Sequence, residues 1–245
     1  MTEKNDAVAK KSEFALMAAA DADIESLIRD NVGAGPVNRF DLVNIKVPGA
    51  GGVTWEVPTI SGEVESMQEI EGIIIHVQIN RAFWDQGYDE SGGGTPPDCM
   101  SEDGFSGLGV IKAGQEPGPH ECTTCPHNVF GTSAKGGGKA CKEMRVMYVL
   151  REKGLLPYVV SAPPGSLKNM KQYGLGLASE GMKMSHVVTG LKLQKKANKE
   201  GKPYAVITPR MIRPLQKSET AFVDKYAATF RPQTEVSVNP EDYQG

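Results

Sequence analysis

His120-Glu-Cys122-Thr-Thr-Cys125-Pro-His127 is the centre of a segment, Pro97 to Lys142, that contains all four cysteines of the chain. Cys99 and Cys141 lie one on each side of the central pair. The segment is rich in glycine and poor in large apolar residues, so apolar burial alone is not expected to hold it together. Its composition and its thiols together predict a segment that folds around a metal ion.

A Cys-x-x-Cys pair binds one metal ion through both sulfurs, because a tight turn brings the two thiolates together. Two more thiolates complete the tetrahedral set that structural Zn²⁺ prefers. The predicted ligands of one structural zinc ion are therefore Cys99, Cys122, Cys125 and Cys141. The spacing leaves open whether His120 or His127 replaces one of the cysteines.

Two other interpretations of the thiols are less favoured. A redox dithiol of the thioredoxin type would lie between a strand and a helix, whereas prolines and glycines surround Cys122 and Cys125. A catalytic zinc ion would need an open coordination position and a nearby acid–base group. Glu121 and Glu102 are near in sequence, but neither belongs to a helical deaminase or protease motif.

The composition predicts a protein that is mainly β. The 245 residues include 28 glycines and 16 prolines, which indicate many turns and more strand than helix. The predicted fold class is α+β, mainly β: an OB-like barrel or a curved antiparallel sheet with an inserted zinc-ribbon loop and a few short helices. The domain prediction is a helical arm (1–35), a β-rich core (36–231) with the insertion at about 96–142, and an acidic disordered tail (232–245).

Local patterns predict individual elements of this core. Leu42–Val47 and Val53–Val57 are expected to form a hairpin, and Gly62–Glu65 is expected to pair with the central strand Ile70–Ile79. The other predicted elements are two strands at 142–150 and 155–161, a helix at 167–180 capped by Ser166, a hairpin of 182–193 with 204–212, and a helix at 219–228.

The chain has no run of 18 apolar residues, and its N-terminus lacks the basic and apolar pattern of a signal peptide. The protein is therefore expected to be cytoplasmic, in the bacterial host if a phage encodes it, and to have no membrane partner. Thiols stay reduced in that compartment, which favours metal binding over disulfides.

The net charge of −3 conceals two oppositely charged halves. Residues 1–138 contain 9 Lys/Arg and 21 Asp/Glu, whereas residues 139–231 contain 18 Lys/Arg and 6 Asp/Glu. The basic half predicts a polyanionic partner, unless the two halves neutralise each other. The residues predicted to contact nucleic acid are clustered on one hairpin: Lys192, Lys195, Lys196, Lys199, Lys202, Tyr204, Arg210 and Arg213.

The motifs Asp98-Cys99-x-Ser101-x-Asp103-Gly104, Cys122-x-x-Cys125-Pro-x-Asn128-x-Phe130-Gly131 and Gly138-Lys139-Ala-Cys141-Lys142 resemble those of bacteriophage replication and recombination proteins. The chain is similar, over about residues 38–215, to single-strand-binding or accessory proteins with a zinc ribbon set in a small β-barrel. The resemblance implies a zinc role for the four cysteines and supplies no catalytic residues.

The leading functional hypothesis is a non-enzymatic, zinc-stabilised protein that binds single-stranded DNA with little sequence specificity in phage replication or recombination. Replication or recombination proteins are possible partners through the acidic tail. The first alternative is a protein-interaction adaptor that regulates a recombinase or polymerase. The second alternative is a zinc-dependent hydrolase or nuclease.

Overall fold

A computed structural model describes residues 24–33, 35, 37, 41–85, 96–134, 136–198 and 200–234. Most of the predicted N-terminal arm and most of the predicted acidic tail lie outside these residues. The described residues form eleven strands and three α-helices, which confirms an α+β fold with mostly strands. None of these helices combines the length and apolar character needed to cross a bilayer.

The strands are β1 (Asn44–Ile45), β2 (Trp55–Pro58), β3 (Val64–Met67), β4 (Glu69–Phe83), β5 (Cys99–Ser101), β6 (Ser106–Gly109), β7 (Gly118–Glu121), β8 (Lys142–Leu150), β9 (Tyr158–Ala162), β10 (Val187–Ala197) and β11 (Pro203–Pro214). The helices are α1 (Ile24–Val32), α2 (Leu167–Ser179) and α3 (Lys217–Thr234).

Nine strands form one sheet along the path β1-β9-β8-β4-β5-β6-β7, with β10 paired to β4 and β11 paired to β10. The β1–β9 pair is parallel, and the other pairs in this sheet are antiparallel. β2 and β3 form a separate two-stranded ribbon. The path is open at both ends, so the sheet does not close into the barrel that was one of the two predicted forms.

β4 is the central strand, as its run of β-branched residues predicts. It contacts β8 over most of its length, β10 near its start and β5 at its end. Ile73 and Ile75 pack on the side covered by α3, whereas Ile70 and Ile74 pack on the side that contains Trp55 and α2. Both faces of the central sheet are therefore buried.

The predicted pairing of the first strands is wrong. Ile45 lies beside Val160 of β9, and Trp55 lies beside Met67 of β3, so β1 and β2 do not form a hairpin with each other. Gly62–Glu65 likewise overlaps β3 rather than pairing with β4. The reason is long-range packing: Trp55 is fully buried, and its Nε1 donates a hydrogen bond to the carbonyl oxygen of Leu191 at 2.8 Å.

The later elements match the sequence patterns more closely. β8 and β9 correspond to the two strands predicted at 142–150 and 155–161 and pair with each other. β10 and β11 form the predicted hairpin, with strands that extend further towards its tip. α2 begins and ends within one residue of the prediction. α3 continues to Thr234, beyond the predicted end at residue 228, so the final helix enters the region predicted to be tail.

Candidate metal centre and basic hairpin

The four cysteines lie next to strand ends or tight turns that the topology brings to one place. Cys99 begins β5, Cys122 follows β7, and Cys141 precedes β8. Cys125 precedes a short 3₁₀ turn at Pro126–Asn128. We call residues 96–142 the cysteine segment; it is anchored to the sheet by the pairing of β5 with β4.

All four cysteines line one small cavity of about 10 Å³, which is close to the space of a single water-sized sphere. Cys99, Cys122 and Cys141 are buried, and Cys125 is half-buried. Gly107 completes the cradle, because a Cβ atom there would lie 3.1 Å from the Cys99 sulfur and 3.4 Å from the Cys122 sulfur. A side chain at residue 107 would therefore crowd the space between the thiols.

The thiols interact electrostatically. Burial, together with the neighbouring Cys122 and Cys125, raises the pKa of Cys99 to about 11. Burial also raises the pKa of Cys141 to about 12, against the opposing effect of the Arg81 charge. Cys99 and Cys141 are therefore protonated at neutral pH in the absence of a cation, whereas a divalent cation would stabilise their thiolates.

The two histidines that flank the central pair already have backbone partners. His120 Nε2 lies 2.8 Å from the Gly109 carbonyl oxygen, and His127 Nε2 lies 2.6 Å from that of Ile111. Each Nε2 must carry a proton to make this hydrogen bond, so neither nitrogen offers a lone pair to a metal ion. The His127 ring also stacks on Phe83, with 3.9 Å between ring centroids. Both hydrogen bonds engage only Nε2, so Nδ1 of each ring keeps its lone pair, and His120 lines the same cavity as the four cysteines. The replacement of one cysteine by a histidine therefore stays open.

As placed in the structure, no three or more His, Cys, Asp or Glu side chains among the described residues form a group that could hold a metal ion. The donor set nevertheless suits Zn²⁺ in kind and number, since four cysteines line one cavity.

Arg81 fastens the cysteine segment to the sheet. Its Nε donates to the Gly104 carbonyl oxygen at 2.8 Å, its Nη1 to Asn128 Oδ1 at 2.8 Å, and its Nη2 to Glu143 Oε2 at 2.5 Å. Asn128 continues the network, because its Nδ2 donates to the Cys122 carbonyl oxygen at 2.6 Å. No local pattern around Arg81 indicates this role; the signal in the sequence is Asn128, three residues after Cys125 in the motif Cys122-x-x-Cys125-Pro-x-Asn128.

The second candidate site is the tip of the β10–β11 hairpin, beyond its pairing with β4. β4 pairs only with residues 189–192 of β10, so residues 193–197 extend past it. The predicted contact residues Lys195, Lys196 and Lys202 are exposed, as is Tyr204 with 37% of its surface accessible. Lys199, also predicted, lies outside the described residues.

The three predicted residues nearer the base of the hairpin are engaged in ion pairs. Arg210 binds both carboxylate oxygens of Glu69 at 2.6 and 2.8 Å, and Lys192 Nζ lies 3.7 Å from the same carboxylate. Arg213 binds both carboxylate oxygens of Glu219 at 2.8 Å. By contrast, Lys195, Lys196 and Lys202 form no ion pair with any residue that the structure describes.

The Glu69–Arg210 pair predicts a pH-dependent contribution to stability. Hydrogen bonding to Arg210 lowers the pKa of Glu69 from its ordinary 4.5. A lowered carboxyl pKa stabilises the fold above the unfolded-state pKa, and this stabilisation disappears as the pH falls through the lower folded-state value. We expect Glu69→Gln to reduce the free energy of unfolding by no more than about 1 kcal/mol at pH 7, because Arg210 is exposed and solvent screens the pair.

Urea unfolding of both proteins at pH 7 and near pH 3 measures this difference. The wild-type advantage should shrink at the lower pH, and Glu56→Gln, at an exposed position of β2, is the matched control. An equal difference at both pH values would show that the Glu69 charge is not its source.

Comparison of the chain with known protein families, with curated proteins and with solved structures found no match. The geometry of the cysteine segment and of the hairpin is therefore the basis for the functional argument.

Proposed function

We propose that the protein binds single-stranded DNA through the tip of the β10–β11 hairpin. The observation that carries this proposal is the set of three exposed lysines, Lys195, Lys196 and Lys202, without carboxylate partners in the described part of the chain. Tyr204 lies directly opposite Lys196 in the hairpin register, so a cation and an aromatic ring share one face. Backbone-tracking cations beside aromatic rings are the combination that binds single strands without sequence preference.

The ion pairs at the base of the hairpin support a division of roles. Glu69 and Glu219 neutralise much of the charge of Lys192, Arg210 and Arg213, so these residues chiefly fasten the hairpin to β4 and to α3. Among the described residues of the predicted contact set, the cations without an ion pair are therefore those at the hairpin tip. This arrangement refines the predicted contact set to Lys195, Lys196, Lys202 and Tyr204, with Lys199 as a further predicted member.

We also propose that Cys99, Cys122, Cys125 and Cys141 hold one structural Zn²⁺ in a zinc ribbon. Four sulfur ligands fill a tetrahedral shell and leave no open position for substrate or water. In the described part of the chain the residues that line the cavity include no carboxylate to act as an acid or base. Both points favour a structural ion over a hydrolase or nuclease centre.

The resemblance to phage proteins is the basis for a role in replication or recombination in a bacterial host. Under this proposal the protein covers single-stranded DNA with little regard to sequence, because phosphates carry no base information. The acidic residues after position 234, which lie outside the described residues, are proposed to recruit partner proteins.

The proposal is tested by fluorescence anisotropy of a labelled thirty-nucleotide oligo-dT titrated with the wild-type protein. We expect binding at low salt and a linear fall of log affinity with log salt, with a slope of about −2 or steeper, because three phosphate contacts each release roughly 0.7 counterions from a single strand. Absence of binding at low salt, or affinity that does not change with salt, would contradict the proposal.

A duplex of the same length is the comparison. Aromatic stacking requires unpaired bases, so the single strand should bind more tightly than the duplex at equal salt. Equal affinity for both would show that the protein responds only to negative charge.

A further inference from the structure

A groove of about 400 Å³ lies between the first turns of α2, the sheet and the Gly104–Phe105 turn of the cysteine segment. We call it the basic groove. Its charged lining residues are Arg81, Glu143, Arg145, Lys168 and Lys171. Phe105 forms part of the rim, and 61% of its surface is exposed. None of the lining residues belongs to the contact set predicted on the β10–β11 hairpin, although Lys168 and Lys171 belong to the basic half of the sequence.

Positive charge exceeds negative charge in the basic groove. Four cationic side chains line it together with the single carboxylate of Glu143. That carboxylate already accepts a hydrogen bond from Arg81 and lies 3.8 Å from Arg145 Nε. Lys168 and Lys171 are exposed and form no ion pair with a described residue. The groove therefore has uncompensated charge that an anion would neutralise.

Arg145 adds a second, independent observation. Its Nε is buried and has no hydrogen-bond acceptor among the described residues. That nitrogen is closed to solvent, and its nearest carboxylate is Glu143 at 3.8 Å. The Arg145 side chain as a whole keeps 25% of its surface exposed and lines the groove, so its weakly compensated charge would attract a phosphate there.

The basic groove is next to the hairpin tip. The Tyr204 ring packs close to Gly165, where an added Cβ atom would lie 3.1 Å from Tyr204 Cε2. Gly165 lies two residues before α2, whose side chains Lys168 and Lys171 are three residues apart and so lie on one face of the helix. Lys196 and Tyr204 of the hairpin and Lys168 and Lys171 of α2 therefore form one continuous surface that leads into the groove.

We propose that the basic groove binds a second stretch of the same DNA strand that contacts the hairpin tip, with Lys168, Lys171 and Arg145 at phosphates and Phe105 stacked on a base. This inference rests on the proposed function and extends its binding surface to α2 and the cysteine segment. It also gives that segment a direct part in DNA binding, since the rim residue Phe105 belongs to it.

The test compares four proteins for binding of labelled thirty-nucleotide oligo-dT over a salt series: wild type, Lys168→Glu/Lys171→Glu, Phe105→Ala, and the control Lys153→Glu/Lys217→Glu. The control makes the same change of net charge at exposed lysines away from the groove. Thermal unfolding of each variant establishes that it is folded.

We expect the groove variant to lose about 10-fold or more in affinity at low salt and to show a salt slope reduced by about 1.4, the value for two lost phosphate contacts. Phe105→Ala should lose about 5-fold or more while keeping the wild-type salt slope, because stacking releases no counterions. The control variant should stay within about 3-fold of wild type.

Three outcomes would overturn this inference. The first is wild-type affinity in both the groove variant and Phe105→Ala. The second is an equal loss in the groove and control variants, which would indicate a general effect of net charge. The third is failure of the wild-type protein to bind oligo-dT at all, which would overturn the proposed function as well; the first two leave the hairpin proposal standing.

Discussion

Replacement of Cys125 by Ser is expected to abolish zinc binding and to loosen the whole cysteine segment. The wild-type protein should contain one zinc ion per chain by elemental mass spectrometry, and the variant should contain little. Structural zinc contributes roughly 10–16 kcal/mol to the folding of small finger peptides. The loss here should be smaller, about 4 kcal/mol or a fall of about 10 °C in Tm, because β5 and Arg81 also hold the segment to the sheet.

Hydrogen exchange locates the effect. Amides of residues 99–141 should exchange much faster in Cys125→Ser, whereas those of β4, β8 and β9 should remain protected because their side chains fill the cores on both faces of the sheet. Thr124→Ser, at the exposed neighbouring position, is the matched control. A structural metal would be ruled out if the wild-type protein contained no zinc. It would also be ruled out if the amides of the cysteine segment exchanged as slowly in Cys125→Ser as in the wild type.

Charge reversal at the hairpin tip is expected to have the largest effect on DNA binding. The triple variant Lys195→Glu/Lys196→Glu/Lys202→Glu should lose about 100-fold or more in affinity for thirty-nucleotide oligo-dT at low salt. Its salt slope should fall by about 2, because three counterion-releasing contacts are removed. The fold should survive, since these side chains are exposed and the turn is held by Asn198, whose Oδ1 accepts hydrogen bonds from the Glu200 and Lys202 amides at 3.0 and 2.9 Å.

The matched control reverses three exposed lysines elsewhere, Lys112, Lys153 and Lys217. It has the same net charge as the hairpin variant, so a general loss of electrostatic attraction would weaken both proteins equally. We expect the control to retain binding within about 5-fold of wild type. Retention of wild-type affinity by the hairpin variant would refute the hairpin as the DNA-binding element.

The sequence predicts those parts of the fold that depend on neighbouring residues. Apolar runs identify β4 and β8, Gly154 indicates the turn between β8 and β9, and the polar loop at 194–203 indicates the β10–β11 hairpin, whose strands extend into that loop. It does not predict partners that are distant in the chain. β1 consists of only Asn44 and Ile45 and pairs in parallel with Val159 and Val160, which no local pattern indicates.

Ser166 shows how tertiary contacts change a local prediction. The residue precedes α2 as predicted, but its hydroxyl makes no capping bond. The Ser166 Oγ instead accepts a hydrogen bond from the Ile207 amide at 2.9 Å and so connects the start of α2 to β11. Capping preference correctly locates the helix start, whereas the partner of the hydroxyl depends on a strand about forty residues away.

The cysteine cluster and the basic groove also differ in how far the sequence predicts them. The clustering of the four cysteines around one cavity could be predicted, because spacing alone suggests a shared ligand. The basic groove could not, because Arg81, Phe105, Arg145 and Lys168 come from four separate elements or turns. Only the strand order brings them together, and the charge asymmetry of the sequence indicates no more than that such a surface exists.

The pairing of β4 with β8 has a consequence for the architecture as a whole. Ala82 of β4 lies opposite Lys142 of β8, so β4 and β8 are adjacent strands although β5, β6 and β7 lie between them in the chain. These three strands therefore belong to one long connection between the two strands of an antiparallel pair. Because the two ends lie about one strand spacing apart, about 5 Å, a short turn could join them without changing strand order. The cysteine segment, which contains β5, β6 and β7, is thus an excisable insertion, and the other six strands of the sheet are the part of the fold that could exist without it.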